Sequence, residues 1–230
     1  MIRRFALRPG RISLDAAGGD SGRDESVVGV SPTVTHPTRC NGQRVNLTDL
    51  LDSRRTIRAF SSRPVDDDDL ADVLWAAQGQ TSDGRRTTPS ARGRYRLQLV
   101  IVRGSQPGGT WTWAPEERSL VPRGTRDVRT VLSAAVFGEQ PWVVTAPVTV
   151  AFCADVDGMV EHFADQPPDG RGRRYVDVEI GAAVQNLALS CTARGLGGVI
   201  VGGFDDGLVA DMLDLDQYEP RLLFSLGHPD

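Results

Sequence analysis

From Asn46 onward the chain alternates between helical and strand-like hydrophobic spacing, whereas the residues before it follow neither period. Leu47, Leu50 and Leu51 form a short apolar stripe behind Asn46, a good N-cap residue, with Asp49 at N3. The spacing predicts a helix that delivers Ser53-Arg54-Arg55-Thr56-Ile57-Arg58-Ala59-Phe60 at its C-terminal end. A second helix follows Pro64-Val65 and the run Asp66 to Asp69, with Leu70, Val73, Leu74 and Ala77 at i, i+3, i+4 and i+7 and Gln78-Gly79 as its close. Thr81 to Arg94 reads as a polar loop and Leu97 to Val102 as a buried strand. After a Gly/Pro/Trp stretch from Gly104 to Arg123, the pattern predicts a helix over Thr125 to Phe137. It then predicts a strand over Trp142 to Ala154, with Pro147 marking its start or an edge. Tyr175 to Arg194 is the longest predicted helix, stopped by Gly195. A short strand at Val199 to Val201, a helix to Leu213 capped by Asp205 or Asp206, and a strand at Arg221 to Leu226 complete the series.

Helices and strands interleave without regular parallel βαβ units, which predicts an α+β or mixed-sheet α/β fold. Residues 1 to about 45 are rich in Gly, Ser, Asp, Arg and Pro and read as an N-terminal extension, flexible or draped over the fold. That leaves 46–230 as one domain, because 230 residues would crowd two.

Composition narrows the chemistry. A net charge of -4 argues against general nucleic-acid binding. No apolar run reaches the length of a membrane span, and the cationic start is broken by Arg8-Pro9-Gly10 before a signal core can form, so cytoplasm is the default compartment. Cys40, Cys153 and Cys191 stand singly, with no CxxC or Cys/His spacing, which points away from disulfides and zinc. His36, His162 and His228 are too dispersed for a metal site or a catalytic dyad. The Asp66 to Asp69 run is a helix start rather than a metal site, because adjacent side chains on one turn fan apart. The chain contains no lysine, which excludes a lysine base, a Schiff base and a Walker-type phosphate lysine.

Two segments carry chemistry. Arg54, Arg55, Thr56 and Arg58 place three guanidinium groups and a hydroxyl within five positions, a donor set suited to a phosphate monoester. Arginines at a helix C-terminus also complement the helix dipole, which is the plain structural alternative. Pro89-Ser90-Ala91, with Gly93 two residues on, is a turn whose backbone can approach a flat ligand.

The succession Arg-Arg-Thr-Ile-Arg-Ala-Phe, Leu74-Trp75-Ala76-Ala77-Gln78-Gly79 and Arg86-Thr87-Thr88-Pro89-Ser90-Ala91 resembles the nitroreductase family of FMN-dependent oxidoreductases, with a flavour closest to the SagB-type dehydrogenases. Gln140-Pro141-Trp142, the Glu179 to Asn186 segment, Gly195-Leu196-Gly197, Val201-Gly202-Gly203-Phe204-Asp205 and Gly227-His228-Pro229 continue it in register. The resemblance runs from about Leu47 to the C-terminus. It implies a nitroreductase-like α+β fold, with a central mixed, mostly antiparallel sheet flanked by helices in an interlocked homodimer. Arg54, Arg55, Thr56 and Arg58 would grip the phosphate of FMN. Pro89, Ser90, Ala91 and Gly93 would lie against the flavin ring of the partner subunit, and Gly202 and Gly203 would face flavin N5. The plain alternative for the last pair is a strand-to-helix turn before Asp205. The long helix would centre the dimer, unless it is simply a buried core helix.

The resemblance further implies NAD(P)H as reductant and ping-pong hydride transfer to an electron-poor small-molecule acceptor, a nitroaromatic or a quinone. No nucleic-acid or membrane partner is implied. No catalytic side chain is required, and Tyr95 or Arg92 would at most orient substrate. Rival readings are a SagB-like biosynthetic dehydrogenase and a low-turnover flavin-binding protein. Three departures stand out. The chain ends at Asp230, short of further basic phosphate contacts, so phosphate binding would rest on the first arginine cluster, with an arginine such as Arg126 in support. Arg92, Arg94 and Arg96 replace the Gly, Leu and Pro of the SagB-type Pro-Ser-Ala-Gly-Ala-Leu-Tyr-Pro, which implies a preference for an anionic substrate or for the nicotinamide dinucleotide phosphates, or else solvent-facing arginines. Without lysine, the Lys-Tyr base of azoline-oxidising relatives cannot exist here.

Overall fold

The computed structural model describes residues 39–40, 43–44, 46–104, 108–168 and 170–230. The N-terminal extension lies outside them, apart from a two-residue ladder between β1 (Arg39–Cys40) and β2 (Gln43–Arg44). The body is a six-stranded sheet of β3 (Leu97–Arg103), β4 (Gly109–Ala114), β5 (Ser119–Gly124), β6 (Val148–Ala154), β7 (Gly197–Val201) and β8 (Glu219–Gly227), ordered β5-β4-β3-β6-β8-β7. Every ladder in it is antiparallel, and among the described residues the one parallel element is an isolated bridge between Thr56 and Gly198. The mixed, mostly antiparallel sheet expected from the resemblance is thus present, its parallel component among the described residues being the bridge at the β7 edge.

The helices are α1 (Leu47–Ser53), α2 (Asp67–Gln78), α3 (Arg129–Ala135), α4 (Trp142–Thr145), α5 (Val156–His162), α6 (Arg171–Ala193) and α7 (Asp206–Leu213). They cover both faces of the sheet. Successive strand residues point to opposite faces, so Leu99 and Ile101 of β3 pack with Leu70, Leu74 and Leu187 of α2 and α6. Val100 and Val102 pack on the other face with Leu132, Val143, Val209 and Leu213 of α3, α4 and α7. Burial on both faces is why Leu97 to Val102 reads as an unbroken apolar run.

Several boundaries differ from the sequence pattern. The strand expected from Trp142 splits into α4 and β6, because Pro141 opens a turn and Pro147 has no N–H to pair, although its carbonyl still accepts from Gly104 N–H at 3.1 Å. The Gly/Pro/Trp stretch contains the β4–β5 hairpin, with Trp111 and Trp113 alternating inward. The helix expected over Thr125 to Phe137 is confined to Arg129–Ala135. α5 follows the Asp155 cap, with Val156, Met159 and Phe163 buried, a pattern too short to stand out in sequence. α6 starts at Arg171, four residues before Tyr175, and buries one face from Val176 to Cys191 against α2 and the sheet.

The caps at Asn46, Asp205 and Gly195 are as the sequence indicates: Asn46 Oδ1 accepts from Thr48 N–H, Asp205 Oδ1 from Leu208 N–H, and Gly195 has φ 68. The acidic run opens α2, and its carboxylates diverge: Asp67 pairs with Arg103 at 2.7 Å and Asp69 with Arg194 at 2.8 Å. Asp72, one turn on, reaches both Arg118 and Arg194.

Candidate functional site

The arginine segment is held by backbone pairing with β7 and with the residues that follow β8. Ile57 N–H donates to Gly198 O at 3.0 Å, Ser61 N–H to His228 O at 3.0 Å, and Asp230 N–H to Ala59 O at 3.3 Å. Gly197 permits this approach, while Gly198 makes room for the side chain of Phe224 on β8. A Cβ on Gly197 would sit 2.4 Å from Ile57 Cγ1, and one on Gly198 2.2 Å from Phe224 Cε1 and 2.9 Å from Ser225 O.

Between this segment and α6 lies a cavity of about 360 Å³. Arg54, Arg55, Thr56 and Arg58 line one side, Gln185, Ala188 and Thr192 of α6 a second, and Gly198, Val199, Ile200 and Phe224 the floor. The α6 contributors recur at i, i+3 and i+7, one helical face. They carry no charged or aromatic signature, which is why the sequence does not announce them.

Electrostatics separates these arginines from most others in the fold. Among the described residues, no carboxylate lies within ion-pair distance of Arg54, Arg55 or Arg58, whereas Arg86, Arg103, Arg118, Arg194 and Arg221 are all paired. Arg55 turns back to donate to the carbonyls of Asp52 and Arg54, which realises the helix-end role for that one side chain. Arg58 lies over the Trp142 ring at 5.4 Å. A cavity wall with uncompensated guanidinium groups and a threonine hydroxyl suits a phosphate dianion.

Gly202 and Gly203 follow β7 directly, held by Phe137 N–H donating to Gly203 O at 2.9 Å and Asp205 N–H donating to Ala135 O at 2.9 Å. Neither has a left-handed φ. A Cβ on Gly202 would meet nothing within 4 Å, and one on Gly203 only Phe137 atoms at 3.8 Å and beyond. The fold itself therefore does not demand glycine at either position, unlike Gly197 and Gly198.

The Pro89-Ser90-Ala91 turn does not line this cavity. It is anchored on another face of α6, where Asn186 Nδ2 donates to Thr87 O at 3.3 Å and Thr88 Oγ1 at 3.1 Å. Thr88 Oγ1 donates to Ala77 O at 2.6 Å, and Thr87 Oγ1 to Trp75 O at 3.0 Å. Ser90 Oγ accepts from Tyr95 N–H at 2.9 Å, leaving its proton for the carboxylate of Glu179, seven residues before Asn186. Glu179 is 5% exposed. Burial raises its pKa above the usual carboxyl value, against the lowering effect of the Ser90 hydrogen bond. Ser90 thus spends its hydroxyl inside the chain, and the turn presents backbone and Pro89 outward. Gln185 and Asn186 are adjacent, so one lines the cavity while the other holds the turn.

Comparison with known proteins follows the same boundaries. The sequence profile of the Nitroreductase family matches residues 51–228. The chain belongs to the nitroreductase family. A Methanocaldococcus jannaschii protein named "Putative nitroreductase MJ1384" is 32% identical over 189 residues, covering 80% of this chain and 92% of that protein. Among solved structures, a Ralstonia eutropha JMP134 protein of similar description is 26% identical with a TM-score of 0.69, over 81% of this chain and 84% of that one. The NADPH:FMN oxidoreductase of Vibrio harveyi complexed with NAD⁺ superposes with a TM-score of 0.58 at 22% identity, over 80% of this chain and 68% of that one, a likeness of fold. Membership places the chain among oxidoreductases. No described helix is long and apolar enough to cross a membrane.

Proposed function

We propose that this nitroreductase is an FMN-dependent NAD(P)H oxidoreductase acting on electron-poor small molecules of the nitroaromatic or quinone type. The observation that carries the reading is the cavity of about 360 Å³ walled by Arg54, Arg55, Thr56 and Arg58, with no carboxylate in reach among the described residues. Arg54 and Arg58 would pair with the phosphate of FMN, Thr56 would donate its hydroxyl, and Gly202-Gly203 would leave room for the ring system to meet backbone N–H groups. When bound, FMN would supply two-electron hydride chemistry between NAD(P)H and an acceptor that uses the same space in turn. Reduction of a quinone to hydroquinone takes two electrons and two protons, and the proton beyond the hydride comes from solvent. No side chain need serve as general acid or base, and the protein's part is to bind, orient and shield.

The active form in this reading is a homodimer in the cytoplasm, with the Pro89, Ser90, Ala91 and Gly93 turn completing the pocket of the partner. Leu47 and Leu51 of α1 are 60% and 53% exposed, and no residue of α1 is buried. Val178 of α6 and Ile200 beside the cavity are exposed as well. A second copy covering these positions accounts for an apolar stripe that one chain leaves in water.

A SagB-like biosynthetic dehydrogenase remains the second reading, favoured by the Pro-Ser-Ala turn and its α6 anchors. The test is the purified protein's flavin. FMN released on denaturation, and anaerobic bleaching of the bound flavin by NADPH, support the reductase; retained FMN that NAD(P)H does not reduce supports the dehydrogenase. Full FMN occupancy in an Arg54→Ala/Arg58→Ala double variant overturns the phosphate assignment.

A further inference from the structure

Trp142 opens α4, and its place is set by the chain itself. Pro141 fixes the first turn with φ -61, Val143 beside it is fully buried, and Ala146 O at the end of the helix accepts from Arg129 Nη1 at 2.9 Å. The indole is partly buried against the core that α3, α4 and α7 share, yet its Nε1–H is buried with no acceptor among the described residues. A buried indole N–H normally finds a partner, and leaving it unmade costs free energy. Hydrogen bonding therefore does not account for tryptophan at this position.

What the ring holds is Arg58, whose Cζ stands 5.4 Å from the ring centroid. Four other arginines lie over rings among the described residues, and each is also paired with a carboxylate: Arg86 with Glu116, Arg92 with Asp165, Arg103 with Asp67 and Arg118 with Asp72. Arg58 has neither a carboxylate nor a hydrogen-bond partner among the described residues, and it lines the cavity together with Arg54, Arg55 and Thr56. Guanidinium groups sharing one wall repel one another, and an exposed arginine relieves this by swinging into water. A carboxylate would hold Arg58 in place but would neutralise the charge that an anion needs. An aromatic face attracts the cation and leaves the N–H donors at the guanidinium edge unspent, and tryptophan offers the strongest such face.

We propose that Trp142 is a positioning residue for the anion site: it holds Arg58 against its ring, so that the guanidinium meets the phosphate of FMN already in place. The inference rests on the proposed function, which puts the FMN phosphate in this cavity. It goes further by giving a role to a residue that does not line the cavity and reaches the ligand only through Arg58. The gain comes from pre-organisation, because a long side chain fixed beforehand loses less freedom on binding. At an exposed arginine, a contact of this kind corresponds to about two- to fivefold in affinity.

The test is a double-mutant cycle on FMN release from the full-length, flavin-loaded protein, with Kd read from flavin fluorescence on serial dilution. Trp142→Leu raises Kd by about two- to fivefold. Trp142→Phe, which keeps a ring and removes the unpaired N–H, falls between Trp142→Leu and the parent. In an Arg58→Ala background, Trp142→Leu changes nothing further. A purely structural role would act with or without Arg58, so the coupling separates positioning from packing. Should Trp142→Leu not fold, the cycle built on Trp142→Phe carries the same comparison. The proposal is overturned if Trp142→Leu keeps the parental Kd, or if it weakens FMN equally with and without Arg58. A parent protein that neither contains nor takes up FMN refutes the proposed function. The cycle is then read with inorganic phosphate by phosphorus NMR line width, and a parent that does not bind phosphate either overturns the positioning role as well.

Discussion

The β7 strand carries two glycine pairs that the structure assigns to different tasks, and alanine substitutions separate them. At Gly198 an added Cβ would stand 2.2 Å from Phe224 Cε1, 2.4 Å from Phe224 Cζ and 2.9 Å from Ser225 O. Carbon atoms pack best at about 3.5–4.0 Å, so the Phe224 ring must retreat by more than about 1 Å. The ring is buried, and the space open to it is the cavity whose floor it forms, beside the arginine segment. The Ser225 carbonyl belongs to the Val199–Ser225 pairing and cannot move alone. Overpacking of this kind costs about 1–3 kcal/mol. At about 2–4 °C per kcal/mol for a chain of this size, Gly198→Ala should lower Tm by about 2–12 °C. Because Gly198 also bridges Thr56 and accepts from Ile57 N–H, the displacement reaches the arginine segment, and if that segment holds FMN as proposed, its affinity should fall with stability.

Gly202→Ala is the counterpart. With no atom within 4 Å of the new methyl and no left-handed φ, its effect on stability should stay within about 0.5 kcal/mol. If the ring system of FMN lies against this backbone, the methyl should nevertheless slow anaerobic flavin reduction by about tenfold, as expected for distortion of one hydrogen bond. Thermal unfolding and stopped-flow reduction of the two variants are the assays. A Gly198→Ala protein as stable as the parent refutes the packing argument, and a Gly202→Ala protein reduced at the parental rate refutes the placement of the ring.

Three further outcomes follow from the same geometry. The raised pKa of Glu179 means that the folded state holds its proton more tightly than the unfolded chain, whose value is near the usual 4.5. Its contribution to stability is therefore fully present below that value and lost as pH rises through the folded pKa. Glu179→Gln should flatten this part of the Tm-against-pH profile, and an unchanged profile counts against a buried, titrating Glu179. Asn186→Ala removes the donors to Thr87 O and Thr88 Oγ1, which should cost about 1–3 kcal/mol and accelerate hydrogen exchange across the turn; protection there equal to the parent's shows that α6 does not hold it. Cys153 and Cys191 are buried, with burial pushing the Cys153 thiol up to about 12 and the Cys191 thiol up as well, so in a Cys40→Ser variant a thiol reagent should react only on unfolding. Rapid reaction of the native variant refutes it.

The sequence by itself determined the elements whose causes are local. Asn46, Asp205 and Gly195 fix helix ends because each acts on backbone groups within a few residues, the first two through side-chain oxygens, and Leu97 to Val102 is a strand because both its faces must be apolar. The arginine segment was legible as a cluster because three guanidinium groups and a hydroxyl fall within five positions, and the family because its motifs recur in register over residues 51–228. What lies across the chain was not legible. Thr56 meets Gly198 and Asn186 meets Thr87 only because the fold brings distant segments together, and nothing in the residue types specifies the pairing.

The tertiary structure also decided between chemically identical residues. Arg55 caps a helix while Arg54 stays unpaired, and Gly198 is required by packing while Gly202 is not. Residue type fixes what a side chain can do. Its neighbours, set by long-range packing, decide which of those capacities remains free for a ligand.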